Sequence, residues 1–278
     1  FSIPYHLKGN VDFTAGTAMV KQLSLESNAS GLQLQGRVND VFNARIQGQL
    51  EYSGTVDGAF MNRFFSDPLN GRMDVAGRLE FSSGVFSTRG NAKTDRFELG
   101  PWSAANFTSQ YEYKYPESTL MVHRLHATAV GGDIDGEISF GPLPGNTRAT
   151  LDLKFLDVDA AALARAYPWD PRYVIYSKGS GTLQGWFEGR MDKFAFSGDV
   201  ELKQYAPRPL EGIVALPLDG STQFELQPGK ATVTGAKLNF FSTAVEATGT
   251  ISEQETSLQT SLSSTDLKNL FFLYSDAN

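Results

Sequence analysis

The chain of 278 residues contains no cysteine, which excludes disulfide staples and thiolate metal sites and leaves the redox compartment unmarked. No uncharged apolar run approaches the roughly 20 residues a helix needs to cross a bilayer. Histidine is scarce, with only His6, His123 and His126. There is no cluster of basic residues either. With 24 Lys and Arg against 31 Asp and Glu, the formal net charge is −7, so the chain lacks the positive track that gripping nucleic acid requires. The same balance disfavours electrostatic docking on an anionic lipid surface. The sequence opens on Phe1-Ser2-Ile3-Pro4 inside a strand-like segment and stops just after the apolar patch Leu270-Phe271-Phe272-Leu273-Tyr274. It reads as a piece of something longer, with any anchor or targeting segment outside it.

What is present is a recurring five-residue frame: an apolar residue, a spacer, a glycine, a spacer and an apolar residue. It occurs as Leu34-x-Gly36-x-Val38, Ile46-x-Gly48-x-Leu50, Val75-x-Gly77-x-Leu79 and Ile134-x-Gly136-x-Ile138. Further copies are Leu183-x-Gly185-x-Phe187, Phe196-x-Gly198-x-Val200 and Ala247-x-Gly249-x-Ile251. Period-two alternation predicts strands with one apolar face. The glycines fall in phase with that face, where a strand glycine marks a bend, a bulge or a close approach. They permit curling and leave room above the sheet.

A longer order repeats as well. An aromatic or leucine, a turn, a Val or Leu, a Leu, a glycine and a Val or Ile recur with the same spacing. The three copies use Phe13, Val20, Leu25, Gly36 and Val38; Tyr113, Leu120, Leu125, Gly136 and Ile138; and Leu226, Val233, Leu238, Gly249 and Ile251. Turns are predicted at Ala15-Gly16, Pro116-Glu117 and Pro228-Gly229. Each glycine strand is followed by more alternation and then by a short helical patch. The patches are Asp57 to Phe65, Asp157 to Tyr167 with Asp157 or Asp159 as N-cap, and Ser264 to Tyr274. The chain divides on this reading into unit 11–110, unit 111–212 and an incomplete unit 213–278, all within one repetitive segment 1–278. The predicted fold is mostly β: an elongated antiparallel sheet curled into an open hydrophobic groove, with a few short helices.

Catalytic, cofactor and metal signals do not accumulate. His123 and His126, three apart on a strand, project from opposite faces and cannot share a metal. Gly132-Asp133-Ile134-Asp135-Gly136-Glu137 lacks the third acidic position of a calcium loop. Tyr111, Tyr113 and Tyr115 read as core or groove packing, since Lys114 alone gives no basic track. The expectation is a chain that is not an enzyme, with no catalytic residue, cofactor or metal.

The Leu-x-Gly-x-Val type strands, together with patches such as Asp157-Val158-Asp159-Ala160-Ala161-Ala162 and Ser264-Thr265-Asp266-Leu267, resemble the AsmA-like superfamily. Stretch 236–274 is most similar to its TamB family, inner-membrane subunits of the bacterial translocation and assembly module. The resemblance covers essentially the whole chain. It implies a periplasmic protein tethered to the inner membrane by a segment outside this one. It also implies a taco-shaped groove that moves phospholipid between inner and outer membrane and supports outer-membrane protein assembly. The partners implied are phospholipid acyl chains and a TamA-like outer-membrane barrel, the latter through parts outside this chain, because the terminal barrel-interacting region finds no match here. Groove-lining positions would be Leu34, Ile46, Leu50, Val75, Leu79, Ile134, Ile138, Leu183, Phe187, Phe196, Val200 and Ile251. Groove glycines would be Gly36, Gly48, Gly77, Gly136, Gly185, Gly198 and Gly249.

Two other readings compete. A structural or adhesive extracellular β-repeat would close its apolar residues into a dry core. A carbohydrate-binding or carbohydrate-active domain would need paired carboxylates at ~5–10 Å or exposed coplanar aromatics.

Overall fold

Alternation in the sequence becomes alternation in exposure. In the strand Leu69–Ser82, the side chains of Met73, Val75, Leu79 and Phe81 are half-buried, whereas Asp74, Ala76, Arg78 and Glu80 are exposed. The computed structural model describes residues 5–27, 30–43, 45–58, 69–99, 102–143, 148–166, 173–188, 193–205, 214–252 and 254–266.

The first strands are β1 (His6–Thr14), β2 (Thr17–Ser27), β3 (Ser30–Asn39), β4 (Gln47–Asp57), β5 (Leu69–Ser82) and β6 (Val85–Leu99). β7 (Trp102–Tyr115), β8 (Thr119–Ala129), β9 (Gly132–Gly141) and β10 (Arg148–Asp159) follow. Helix α1 (Ala160–Ala166) precedes β11 (Tyr173–Ile175), β12 (Ser177–Glu188), β13 (Lys193–Gln204) and β14 (Val214–Leu216). The last are β15 (Leu218–Gln227), β16 (Lys230–Phe240), β17 (Thr243–Ser252) and β18 (Thr256–Ser264). Sixteen of these strands form one antiparallel sheet in chain order, and β11 pairs with β14 separately and in parallel. β1 and β18 are not neighbours, so the sheet does not close into a barrel. The expected class, a mostly β open antiparallel sheet with little helix, is the fold observed.

The chain divides into two units, Phe1–Thr128 with Gly136–Ala149, and Ala129–Asp135 with Thr150–Asn278. In the first, Ala15 (φ 46°) and Gly16 (φ 78°) make the predicted tight turn between β1 and β2, the two-residue form that matches strand twist. In the second, the acidic residue before the helix acts as a cap. Asp159 Oδ1 accepts hydrogen bonds from the Ala161 and Ala162 amides at 2.8 and 3.3 Å, satisfying amides that a helix start leaves orphaned. Tyr205 donates to the same oxygen at 2.8 Å. Tyr176 and Tyr205 meet edge to face at 5.8 Å, and with Ala161 and Val174 they form a small closed core. The helical patches expected over 57–65 and 264–274 fall largely on 59–68 and 267–278, outside the described residues.

The repeat's five-residue step has a structural cause. Val20 to Leu25, Leu120 to Leu125 and Val233 to Leu238 are odd separations, yet each pair faces the same side. Period two forbids that unless one extra residue is inserted, which is a β-bulge. Register shifts sit in these places. The β2–β3 register shifts between Val20 and Leu23, leaving Lys21 and Gln22 opposite Gln35. The β16–β17 register shifts between Val233 and Ala236. In β8, Arg124 takes φ 48°, and the less exposed positions pass from Leu120 and Val122 to Leu125 and Ala127.

Only α1 and the β11–β14 pair stand outside the large sheet among the described residues. Among the described residues, half of the buried apolar ones are alanines. Among the same residues, large apolar side chains such as Leu79, Phe81, Phe196 and Phe224 stay half in water.

Removing Lys21 should restore plain alternation in β2 while keeping Val20, Leu23 and Leu25 on one side. Urea unfolding should then change by less than about 1 kcal/mol. Removing Ser24 instead turns Leu23 or Leu25 to the polar side and should lower stability by about 1–2 kcal/mol more.

Candidate functional site: an uncovered apolar side

Register assembles the predicted groove positions into rows that cross the strands. In the first unit one row runs Val20, Gly36, Leu50, Leu79, Thr88, Tyr113. The next runs Leu23, Leu34, Tyr52, Gly77, Gly90, Tyr111, and a third contains Leu25, Leu32, Gly54, Val75 and Ala92. In the second unit, Leu183, Gly198, Phe224, Val233, Gly249 and Leu258 form one row. Gly185, Phe196, Leu226, Ala231 and Ile251 form another. Leu34, Val75, Leu79, Ile134, Ile138, Leu183, Phe187, Phe196 and Val200 are half-buried. Leu50 is buried, while Ile46 and Ile251 are 38% and 45% exposed.

The in-phase glycines do not leave room everywhere. Above Gly48 lies the ring of Phe81, above Gly77 the Tyr52 hydroxyl, above Gly185 the ring of Phe196 and above Gly198 the ring of Phe224. Those atoms lie 2.6–3.1 Å from where a Cβ would stand. The expected free space is thus filled at these four positions by a cross-strand aromatic, and at Gly77, Gly185 and Gly198 a neighbouring strand's carbonyl oxygen lies closer still. At Gly36 (φ +148°) and Gly249 (φ +142°) the backbone alone requires glycine. A Cβ there would press on the carbonyl oxygens of Gln49 and Ser257.

Over Gly77 and Gly90 two tyrosines lean toward each other from β4 and β7. Tyr52 Oη lies 2.5 Å from Tyr111 Oη and 2.6 Å from Thr88 Oγ1. Burial, and then the hydrogen bond and charge interaction with Tyr52, push the Tyr111 phenol well above its ordinary pKa. Next to this bridge, Phe86 stacks on Tyr115 at 5.2 Å and tilts against Tyr113 at 5.6 Å. The sequence reading of Tyr111, Tyr113 and Tyr115 as packing residues agrees with these contacts.

The polar side carries a feature the sequence reading missed. A cleft of about 980 Å³ crosses it from β2 to β8. One wall is the register row Gln35, Glu51, Arg78, Arg89, Glu112, and the other is Gln33, Ser53, Ala76, Asn91, Gln110. Arg78 reaches Glu51 at 3.4 Å and Arg89 reaches Glu112 at 3.6 Å. The second unit has a cleft of about 500 Å³, with Glu201, Ser221, Lys237 and Glu246 along one wall. Both clefts touch bulge residues, Lys21 and Gln22 in one and Gly235 in the other, as expected where bulged strands bend. The odd five-residue step was the available signal. Tyr52, Tyr111 and His123 are among the residues that line the first cleft, and the second is lined by no aromatic residue among those described.

The bulge at Arg124 also corrects the expectation for histidine. His123 and His126 share the polar side of β8, because the inserted residue reverses the alternation between them. His123 Nδ1 lies 3.2 Å from Glu137 Oε1. Among the described residues, no three His, Asp or Glu side chains stand close enough to hold a metal ion. Among the same residues, no helix is long and apolar enough to cross a membrane.

No protein-family model, no curated protein and no solved structure matches the chain.

Replacing Tyr52 by Phe keeps the ring but breaks both hydroxyl contacts, and should cost about 1–3 kcal/mol in chemical unfolding. An acid whose pKa is higher folded than unfolded stabilises below the unfolded value, here 10.0, and that contribution is lost as pH rises further. Stability should therefore fall above about pH 10, and Tyr111→Phe should flatten that alkaline slope.

Proposed function

We propose that this chain is a non-enzymatic segment whose apolar side carries phospholipid acyl chains. The observation that supports it is the set of apolar rows left half-exposed, with no layer packed over these rows among the described residues. Each methylene taken from water gains ~0.8 kcal/mol, so a sixteen-carbon tail gains ~12 kcal/mol if fully sheltered. Half-covered leucine, valine and phenylalanine rows repeated strand after strand give similar, individually weak contacts, which suit sliding better than tight binding. Nothing in such a role calls for a reactive group.

With the family resemblance, the proposal extends to a periplasmic setting between inner and outer membrane. There the chain would move phospholipid and support outer-membrane protein assembly, with a TamA-like barrel engaged through other parts of the protein. A closed adhesive β-repeat is the competing reading. It is disfavoured by how few large side chains are fully buried among the described residues.

The test is site-specific photo-crosslinking in one unit. A crosslinker at Leu34 or Leu79 should capture phospholipid in cells, and one at the neighbouring Gln35 or Arg78 should not. Equal capture from both sides, or none from the apolar side, would reject the proposal.

A further inference from the structure

We infer that the Thr88–Tyr52–Tyr111 hydroxyl chain is a binding site for the ester carbonyl of an acylated lipid. The inference rests on the lipid-carrying reading and adds to it a place where the lipid's polar end of the tail is recognised.

Three hydroxyls bring three protons, and two contacts join them, Tyr52 to Thr88 and Tyr52 to Tyr111. Each contact uses one proton, so one donor is always left over, whichever way the chain is oriented. A donor on an apolar surface is costly unless something accepts from it. Phenols donate well and accept poorly, because the oxygen lone pair is drawn into the ring. The preferred ligand is therefore an acceptor.

The surroundings narrow its charge. Along the register the chain is bordered by Leu50 and Leu79 on one side and by Gly54, Val75 and Ala92 on the other. No ionised side chain stands among these neighbours, so a phosphate or a carboxylate would lose its hydration without a counter-charge. A neutral carbonyl oxygen fits both conditions. Acyl esters place that oxygen at the head of an apolar tail, which the flanking leucine and valine rows can receive. Gly77 and Gly90 set the depth. A Cβ on either would stand 2.6–2.7 Å from the Tyr52 or Tyr111 hydroxyl, so the glycines let both phenols lie low, in line with the tails rather than above them.

The experiment offers the whole chain two phosphatidylglycerols with the same headgroup and chain length, one diacyl-ester and one dialkyl-ether, and reads competition by native mass spectrometry. The wild-type chain should prefer the ester by about 5- to 10-fold. Tyr52→Phe/Tyr111→Phe, which keeps both rings over the glycines, should bind the two alike with ether binding unchanged. Infrared spectra of wild-type protein loaded with carbonyl-labelled ester lipid should show the carbonyl stretch moved to lower frequency relative to the same lipid in detergent. This second readout does not depend on the variant folding. No ester preference in the wild type, a preference that survives in the double variant, or an unshifted carbonyl band would overturn the inference and leave the lipid-carrying reading standing. Binding of neither lipid would overturn both.

Discussion

Among the described residues no opposing layer packs along the apolar rows of the large sheet, so their side chains must shelter one another sideways. That constraint accounts for most of what this chain does with its residues. Large groups sit across the register from glycines: Phe81 over Gly48, Tyr52 over Gly77, Phe196 over Gly185 and Phe224 over Gly198. Each ring lies down on the neighbouring strand instead of standing up into a partner layer. The rows that result are covered enough to fold and uncovered enough to remain half in water.

The second constraint is parity. A strand can keep its apolar residues on one side through an odd step only by inserting a residue, and the chain does so at the same place in its repeat. Lys21 and Gln22 in β2 and Thr234 and Gly235 in β16 occupy those insertions. Bending there opens clefts on the polar side in both units. Their walls are amides and compensated charges, with ion pairs such as Arg78–Glu51 and Arg89–Glu112. Exposed pairs of this kind contribute little to stability, so the weight of folding falls on the strand ladders and the lateral packing.

Much of the architecture was legible in the sequence because period two is a strong signal. The strands and the Ala15-Gly16 and Pro228-Gly229 turns follow from local chemistry alone, as does an aspartate cap at 157 or 159, of which the structure uses Asp159. The face of His126 was not legible by alternation, because a bulge breaks the rule that assigns faces. The odd step from Leu120 to Leu125 did announce it. The glycines were half legible: their in-phase position predicts a close approach, but which group approaches depends on a partner strand's register. That is why the sequence suggests open space over Gly77, where the Arg89 carbonyl and the Tyr52 hydroxyl lie. The hydroxyl chain could not be seen in advance, since Tyr52, Thr88 and Tyr111 come from three strands and meet only through pairing.

The claim at the centre is that the uncovered apolar side is sheltered by fatty chains and not by more protein. Native mass spectrometry of the gently purified chain measures this most directly. The account predicts adducts of phospholipid mass, lost when Leu79 is replaced by Asp while the sheet's circular dichroism is retained. A chain that flies bare even after incubation with phospholipid, or adducts indifferent to that charge, would contradict it.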